Sequence, residues 1–376
     1  MNESKEVTGI LTEASDTGGN LARLNGWLEE LVSRAGSDLL LVPGAPASIR
    51  KDGAVLALEG KSLSGSEIEA ALVPALSPHA AENHRSIGIA DSSYRVQNLG
   101  RFRINLHRQK GDAAAAIRAL PSQVPSVEEL HLPAGIEALA HLHHGLVLIG
   151  GPAGSGKSTT LAALVHEINR QEARHIVTIE DPVEYEHQHG KSLVEQVEIG
   201  VDAPDFPTAL RAALRQAADV LVVGEMRDPE TMKIAVAAAE TGHLVLSTLH
   251  TIDVASTVSR ISDSFPAERQ NTIRQELAMA ISAVLTQVLI PSRRGGRVPA
   301  VELLMVGYGA RQHIRRNALQ HVHQEITMTK NKGSFTLEDC LAQLVRNGEV
   351  EREEALGVAN HPDDLQSLLK GSAQNL

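Results

Sequence analysis

The chain has 376 residues, 42% hydrophobic and 22% charged, enough apolar material for two or three packed domains and too much for a mostly disordered chain. Its 35 lysines and arginines stand against 46 aspartates and glutamates, and a net charge of −11 argues against a general binder of nucleic acid or anionic membrane. A single cysteine, Cys340, excludes an internal disulfide and any zinc site built on cysteines.

Residues 1–20 are rich in Glu, Thr, Ser and Gly, show no apolar period, and read as a flexible N-terminal extension without the apolar segment of a secretory signal. Helical spacing starts at Leu21 and runs through Leu24, Trp27, Leu28, Leu31 and Val32. Strand-like pieces follow at Asp38 to Val42, Ala47 to Arg50 and Ala54 to Leu58, with Lys51-Asp52-Gly53 as a hairpin turn. A helix is predicted around Ser66 to Leu76, then strands at Tyr94 to Asn98 and Arg101 to Arg108. Residues 21–120 thus form a small α+β domain. Pro121, Pro125 and Pro133 break regular structure and mark a linker over 121–133.

Residues 134–376 form the second domain. Apolar runs alternate with helical patterns: Leu146 to Ile149, a helix from Lys157, Ile176 to Ile179, a helix over Pro207 to Gln216, Val220 to Val223, a helix over Pro229 to Thr241, then Leu244 to Thr248. Wholly apolar strands separated by helices predict an α/β fold with a mostly parallel sheet covered on both faces. Ala267 to Ile290 reads as helical, and helical pattern returns from Phe335 onward. No run of roughly 18 apolar residues predicts a membrane span.

Gly151-Pro152-Ala153-Gly154-Ser155-Gly156-Lys157-Ser158 fits the phosphate-loop pattern G-x-x-x-x-G-K-[ST], between a predicted strand and a predicted helix that continues through Thr159. Small residues let backbone N–H groups curl around phosphates, and the helix N-terminus adds a positive dipole end. Lys157 can reach the outer phosphates and the Ser158 hydroxyl can ligate Mg²⁺. The expected ligands are therefore a nucleotide and Mg²⁺.

Such a site needs a carboxylate at a neighbouring strand end. Leu221-Val222-Val223-Gly224 ends on Glu225, followed by Met226, Arg227 and Asp228, and Ile179 is followed by Glu180-Asp181-Pro182-Val183-Glu184. Strand-end acids are commonly just solvated loop residues, but the phosphate loop beside them favours Glu225, with Arg227 beside it, and Glu184 as functional candidates for organising Mg²⁺ and the attacking water. His243 and His250 flank the run from Leu244 to Leu249; taken alone, each reads as a structural histidine. The groups His141/His143/His144, His187/His189 and His321/His323 include no HExxH, and nothing in the sequence ties them into one metal site.

Read together, the phosphate loop, Thr178-Ile179-Glu180-Asp181-Pro182-Val183-Glu184-Tyr185, Val223-Gly224-Glu225-Met226-Arg227-Asp228, Ala239-Glu240-Thr241-Gly242-His243-Leu244 and Ser247-Thr248-Leu249-His250-Thr251 closely resemble the secretion-type ATPases of type IV pili, specifically the twitching-motility (PilT-type) retraction ATPases. The resemblance extends from about Gly36 to the C-terminal region. It implies a PAS-like N-terminal domain, a RecA-like ATPase domain, a homohexameric ring, and ATP bound between the two domains. It implies roles for Glu184 as catalytic carboxylate, Glu225 as the Mg²⁺-organising acid, and His243 and His250 as family histidines. It also implies that Arg101, Arg103 and Arg118 approach nucleotide phosphates. The implied partners are a second copy of the chain, an inner-membrane pilus platform protein and a paralogous pilus ATPase. No nucleic acid is implied, and the location is cytoplasmic, at the inner face of the inner membrane through the pilus machine.

Two departures stand out. Gln216-Ala217-Ala218-Asp219 replaces an acid-Pro-Asp run, and Ala310-Arg311-Gln312-His313-Ile314-Arg315-Arg316 replaces an Ala-Ile-Arg-Asn-Leu-Ile-Arg-like motif linked to retraction. The second leaves open an accessory, PilU-like paralogue or a nucleotide-gated scaffold. Pilus extension and type II secretion ATPases usually carry a larger N-terminal region and a four-cysteine zinc insert, which a chain with Cys340 alone lacks.

Overall fold

The computed structural model describes residues 3–371; residues 1–2 of the expected extension and the last five residues of the second domain lie outside the described residues. Two compact units are present. The first comprises the chain up to Gln123 together with Asp181–Tyr185 and Glu198–Asp202, and the second takes the remainder.

The first unit opens with α1 (Glu3–Ser33). Helix therefore continues back through residues read above as an irregular extension. Once the packed turns around Leu24, Leu28 and Leu31 are nucleated, each added residue costs only propagation. The unit continues with β1 (Asp38–Leu41), β2 (Ser48–Lys51), β3 (Ala54–Ala57), α2 (Gly65–Leu72), α3 (Pro78–Ile87), β4 (Ala90–Val96), β5 (Gly100–Gln109) and β6 (Asp112–Ala119). The strands form one antiparallel sheet in the order β3-β2-β1-β6-β5-β4. Period-two alternation on β5 buries Phe102, Ile104 and Leu106 in the core with Leu24, Leu28 and Leu31 of α1. The alternate positions carry Arg101, Arg103 and Asn105. Strand β6 was not legible in the sequence because its Ala113–Ala116 run has weak strand preference. It is a strand because β1 and β5 pair with it on both sides.

The second unit contains β7 (Gly145–Gly150), α4 (Lys157–Gln171), β8 (His175–Glu180), β9 (Leu193–Glu198), α5 (Phe206–Ala213), β10 (Val220–Val223), α6 (Pro229–Glu240), β11 (Leu244–Leu249), α7 (Val254–Asp263), α8 (Ala267–Ala280), β12 (Ile281–Pro291), β13 (Arg297–Met305), α9 (Tyr308–Arg315), α10 (Val322–Met328), α11 (Leu337–Arg346), α12 (Arg352–Val358) and α13 (Pro362–Gly371). Its sheet runs β13-β12-β7-β11-β10-β8-β9. Strands β12, β7, β11, β10 and β8 are parallel, and β13 returns antiparallel to β12. Every residue of β7, β10 and β11 is buried, as expected for central parallel strands covered on both faces.

The stretch from Ala267 to Ile290 is not one helix: α8 ends at Ala280 and the chain passes directly into β12. A continuous apolar run reads alike as a buried helix or a buried strand, and β7 and β13 on its two sides decide it. Among the described residues no helix is long and apolar enough to cross a membrane.

Candidate nucleotide site

The chain leaves β7 at Gly150 and enters α4 at Lys157. Gly154 (φ +73°) and Gly156 (φ +87°) hold the left-handed conformation that a side chain resists. A Cβ on Gly156 would sit 2.8 Å from Gln287 Nε2, and one on Gly151 would meet the Ser155 hydroxyl and lie 2.5 Å from the Gln287 carbonyl oxygen. The loop is thus closed down on β12 at Gly151 and Gly156, where no larger residue fits. Gln287, 3% exposed, accepts from Thr160 Oγ1 at 2.7 Å and donates Nε2–H to the Ser155 carbonyl at 2.7 Å.

Buried Lys157 donates from Nζ to the carbonyls of Gly151 (2.8 Å) and Pro152 (2.9 Å), and lies 3.3 Å from His250 Nδ1. Strand register explains the last contact. Leu249 at the end of β11 pairs with Gly150 at the end of β7, so the residues that follow emerge side by side. Strand β10 lies on the other flank of β11 and ends on Val223, opposite Ser247. The next residues are pinned there: Gly224 N–H donates to Ile179 O, Thr248 Oγ1 to Gly224 O, and Met226 N–H to Thr248 O. Glu225 is thereby presented to His250, Oε1 to Nε2, at 3.2 Å, while Arg227 Nε donates to its Oε2 at 2.8 Å. Lys157, His250 and Glu225 form a chain of polar contacts along the carboxyl ends of three adjacent parallel strands.

The residues present suit a phosphate chain and a hard divalent cation. The Ser155 hydroxyl is buried with no hydrogen-bond partner among the described residues, the start of α4 offers backbone N–H groups, and Ser158 and Glu225 contribute oxygen donors. Pro152, Ala153 and Ser158 are exposed, and Thr159 is half-buried on the first turn of α4.

The other sequence candidates lie elsewhere. His243 stands at the opposite end of β11 from His250, about 23 Å away along an extended strand. Its Nδ1 contacts the Ala238 carbonyl at 3.0 Å, and with His143, Arg174 and Asp219 it lines a polar depression where β7, β8, β10 and β11 begin. The structure therefore does not bring His243 to the phosphate loop of its own chain. Glu184, half-exposed, lies in Asp181–Tyr185, which belongs to the first unit. There Arg101 donates to the Val183 carbonyl at 2.7 Å and pairs with buried Glu198 at 2.9 Å, and the same Glu198 carboxylate accepts from Val183 N–H. Arg101 and Glu198 thus brace the backbone beside Glu184. Arg103 pairs with Asp91 at 3.6 Å and Arg118 with Asp38 at 2.9 Å.

Gln287 and Glu198 were missed by sequence reasoning. Neither belongs to a local motif. Gln287 follows Thr286 in an otherwise mostly apolar run, a weak signal that a buried polar group has a partner.

The family of Type II/IV secretion system proteins matches residues 126–354, a span that includes the phosphate loop and both strand-end acids. The chain belongs to that family. It is 39% identical over 328 residues to the Type IV pilus retractation ATPase PilT of Pseudomonas aeruginosa, covering 87% of this chain and 95% of that one. It is 35% identical over 348 residues to the Type IV pilus ATPase PilU of the same organism, covering 91% and 90%. Its fold superposes on the crystal structure of the pilus retraction motor PilT with bound ADP with a TM-score of 0.82, covering 90% of this chain and 97% of that one at 39% identity. This secretion-family chain is therefore a PilT homologue, with an N-terminal domain followed by an ATPase domain.

Proposed function

We propose that the chain hydrolyses Mg-ATP to ADP and phosphate and, as a homohexamer, uses that turnover to power type IV pilus retraction. The observation that carries this reading is the convergence of Lys157, His250 and Glu225 on a glycine-cradled loop at the carboxyl edge of the parallel sheet. Ser158 and Glu225 would hold the Mg²⁺. When bound, the ion neutralises charge on the outer phosphates. Lys157 binds the outer phosphates by exchanging its loop-carbonyl partners for phosphate oxygens. His250, in contact with Lys157 and Glu225, is assigned to sensing the terminal phosphate. Glu184 is assigned to orienting the attacking water, and Arg101 with Glu198 holds its backbone in place. The roles of His243, Arg103 and Arg118 toward nucleotide are proposed on family resemblance, His243 toward a neighbouring subunit. The inner-membrane platform protein as partner, and a cytoplasmic position beneath it, rest on the pilus relatives.

A second reading has support of its own. Helix α9 and the residue that follows it carry the departure at Ala310–Arg316, and Arg311 there is committed to the carbonyls of Ala278 and Met279 at the end of α8. An accessory role beside a second pilus ATPase fits a retraction motif altered in this way. Steady-state ATP hydrolysis, with mass by light scattering on the same samples, separates the two. Turnover by a hexamer that is lost in Lys157→Ala, and lost with ATP binding kept in Glu184→Gln, supports the motor. A hexamer that binds ATP but scarcely turns over supports the accessory role, and undiminished turnover in Lys157→Ala sinks both.

A further inference from the structure

Away from the nucleotide site, the C-terminal helices bring together ligand-type side chains that the sequence scatters. His323 lies on α10, His361 immediately before α13, and Asp364 on its first turn. One ligand-type atom from each lies within 4.8 Å of the other two. His323 Nε2 is 3.8 Å from Asp364 Oδ2, and the two imidazole rings are 4.1 Å apart, centroid to centroid. His361 and Asp364 are three residues apart, a spacing that puts both on one face of a helix start. Behind them stands Glu338 of α11, 1% exposed: its Oε1 accepts from His361 N–H at 2.8 Å, and its Oε2 has no hydrogen-bond partner among the described residues. Glu338 and equally buried Glu302 also lie within 4.8 Å of a His323 nitrogen. A buried carboxylate oxygen without a partner among the described residues, close to the His323 imidazole, suits a bound cation.

We propose that His323, His361 and Asp364 bind one Zn²⁺ ion per chain. Two imidazoles with a carboxylate select a borderline metal over Mg²⁺ or Ca²⁺, and Glu338 is placed either to orient His323 or to complete the coordination. Tetrahedral zinc ligands stand about 3.4 Å apart, given bonds of about 2.0–2.1 Å. Reaching that spacing takes about an ångström of closure from side chains that are exposed or half-buried and free to turn. The ion would tie α10 to α13 across the intervening chain and so clamp the C-terminal helices to α11. Cysteine-based reasoning could not find this site, since it contains none.

The test uses the full-length, tag-free chain, stripped with a chelator and titrated with Zn²⁺ against a chromophoric competitor. The chain has 17 histidines, so point variants must separate this site from surface binding. One equivalent is expected, weakened tenfold or more in His361→Ala and in Asp364→Ala, and unchanged in His321→Ala. Zn²⁺ should also raise the thermal unfolding midpoint of the wild type but not of His361→Ala, with circular dichroism confirming that the variants fold. No stoichiometric binding by the wild type, or equal affinity in wild type, His361→Ala and Asp364→Ala, overturns the proposal.

Discussion

Gln287 supports the phosphate loop through one side chain, and its removal should be felt in two places. Gln287→Ala leaves the buried Thr160 hydroxyl and Ser155 carbonyl without their partner, a cost of about 1–3 kcal/mol. The loop also loses its side-chain hydrogen bond to β12, so KM for ATP should rise and the thermal midpoint should fall; if both are unchanged, the support has been misread. His187 makes a second residue-scale case. Burial, with a smaller push from His166, lowers its pKa from 6.5 to about 4. Between those values the unfolded chain takes up a proton that the folded chain refuses, so stability rises with pH through this window. The contribution is complete above pH 6.5 and is lost as pH falls toward 4, by up to about 3 kcal/mol. His187→Asn should flatten the acid limb of a denaturation series run from pH 7 to pH 4. An unaltered slope would remove His187 as its cause.

At the scale of elements, α11 illustrates how packing sets reactivity. Cys340 faces β13, its sulfur accepts from Val301 N–H at 3.4 Å, and burial pushes the thiol up to about 11. The native chain should therefore react with a thiol reagent far more slowly than a free cysteine, and labelling should track unfolding across a urea series. Fast labelling without denaturant would contradict the packing of α11 on β13. The phosphate loop itself is legible as an element, since strand, glycine pattern and helix lie within thirty residues of chain. Strand β12 is not. Its apolar run carries no period that separates strand from helix, and only its neighbours β7 and β13 decide. Gln287 is hidden in the sequence for the same reason, since its run reads equally as helix or strand.

At the scale of the whole molecule, each unit has its own hydrophobic core. One is built on Leu24, Phe102 and Ile117, and the other on Val147, Ile149, Leu246 and Leu285. Cores that share no residue need not melt together. Calorimetry of the full chain is expected to give a calorimetric enthalpy well above the van't Hoff value, and a ratio of one would mean the two units unfold as one. The phosphate-loop motif belongs to one unit, whereas Glu184, Arg101, Arg103 and Arg118 belong to the other.

What the sequence by itself determined is what short stretches of chain encode. The phosphate loop, the apolar strands β7, β8, β10 and β11, the acids at two strand ends and the family likeness all rest on spacing within a few tens of residues. There, glycine conformation and apolar periodicity act locally. Only the tertiary structure decided that His250 rather than His243 meets Lys157, that Glu198 braces the chain beside Glu184, and that His323, His361 and Asp364 share a corner. Each of these depends on strand order, register or helix packing. Burial and pairing across long separations, rather than any local preference, set those contacts, so no window of sequence could display them.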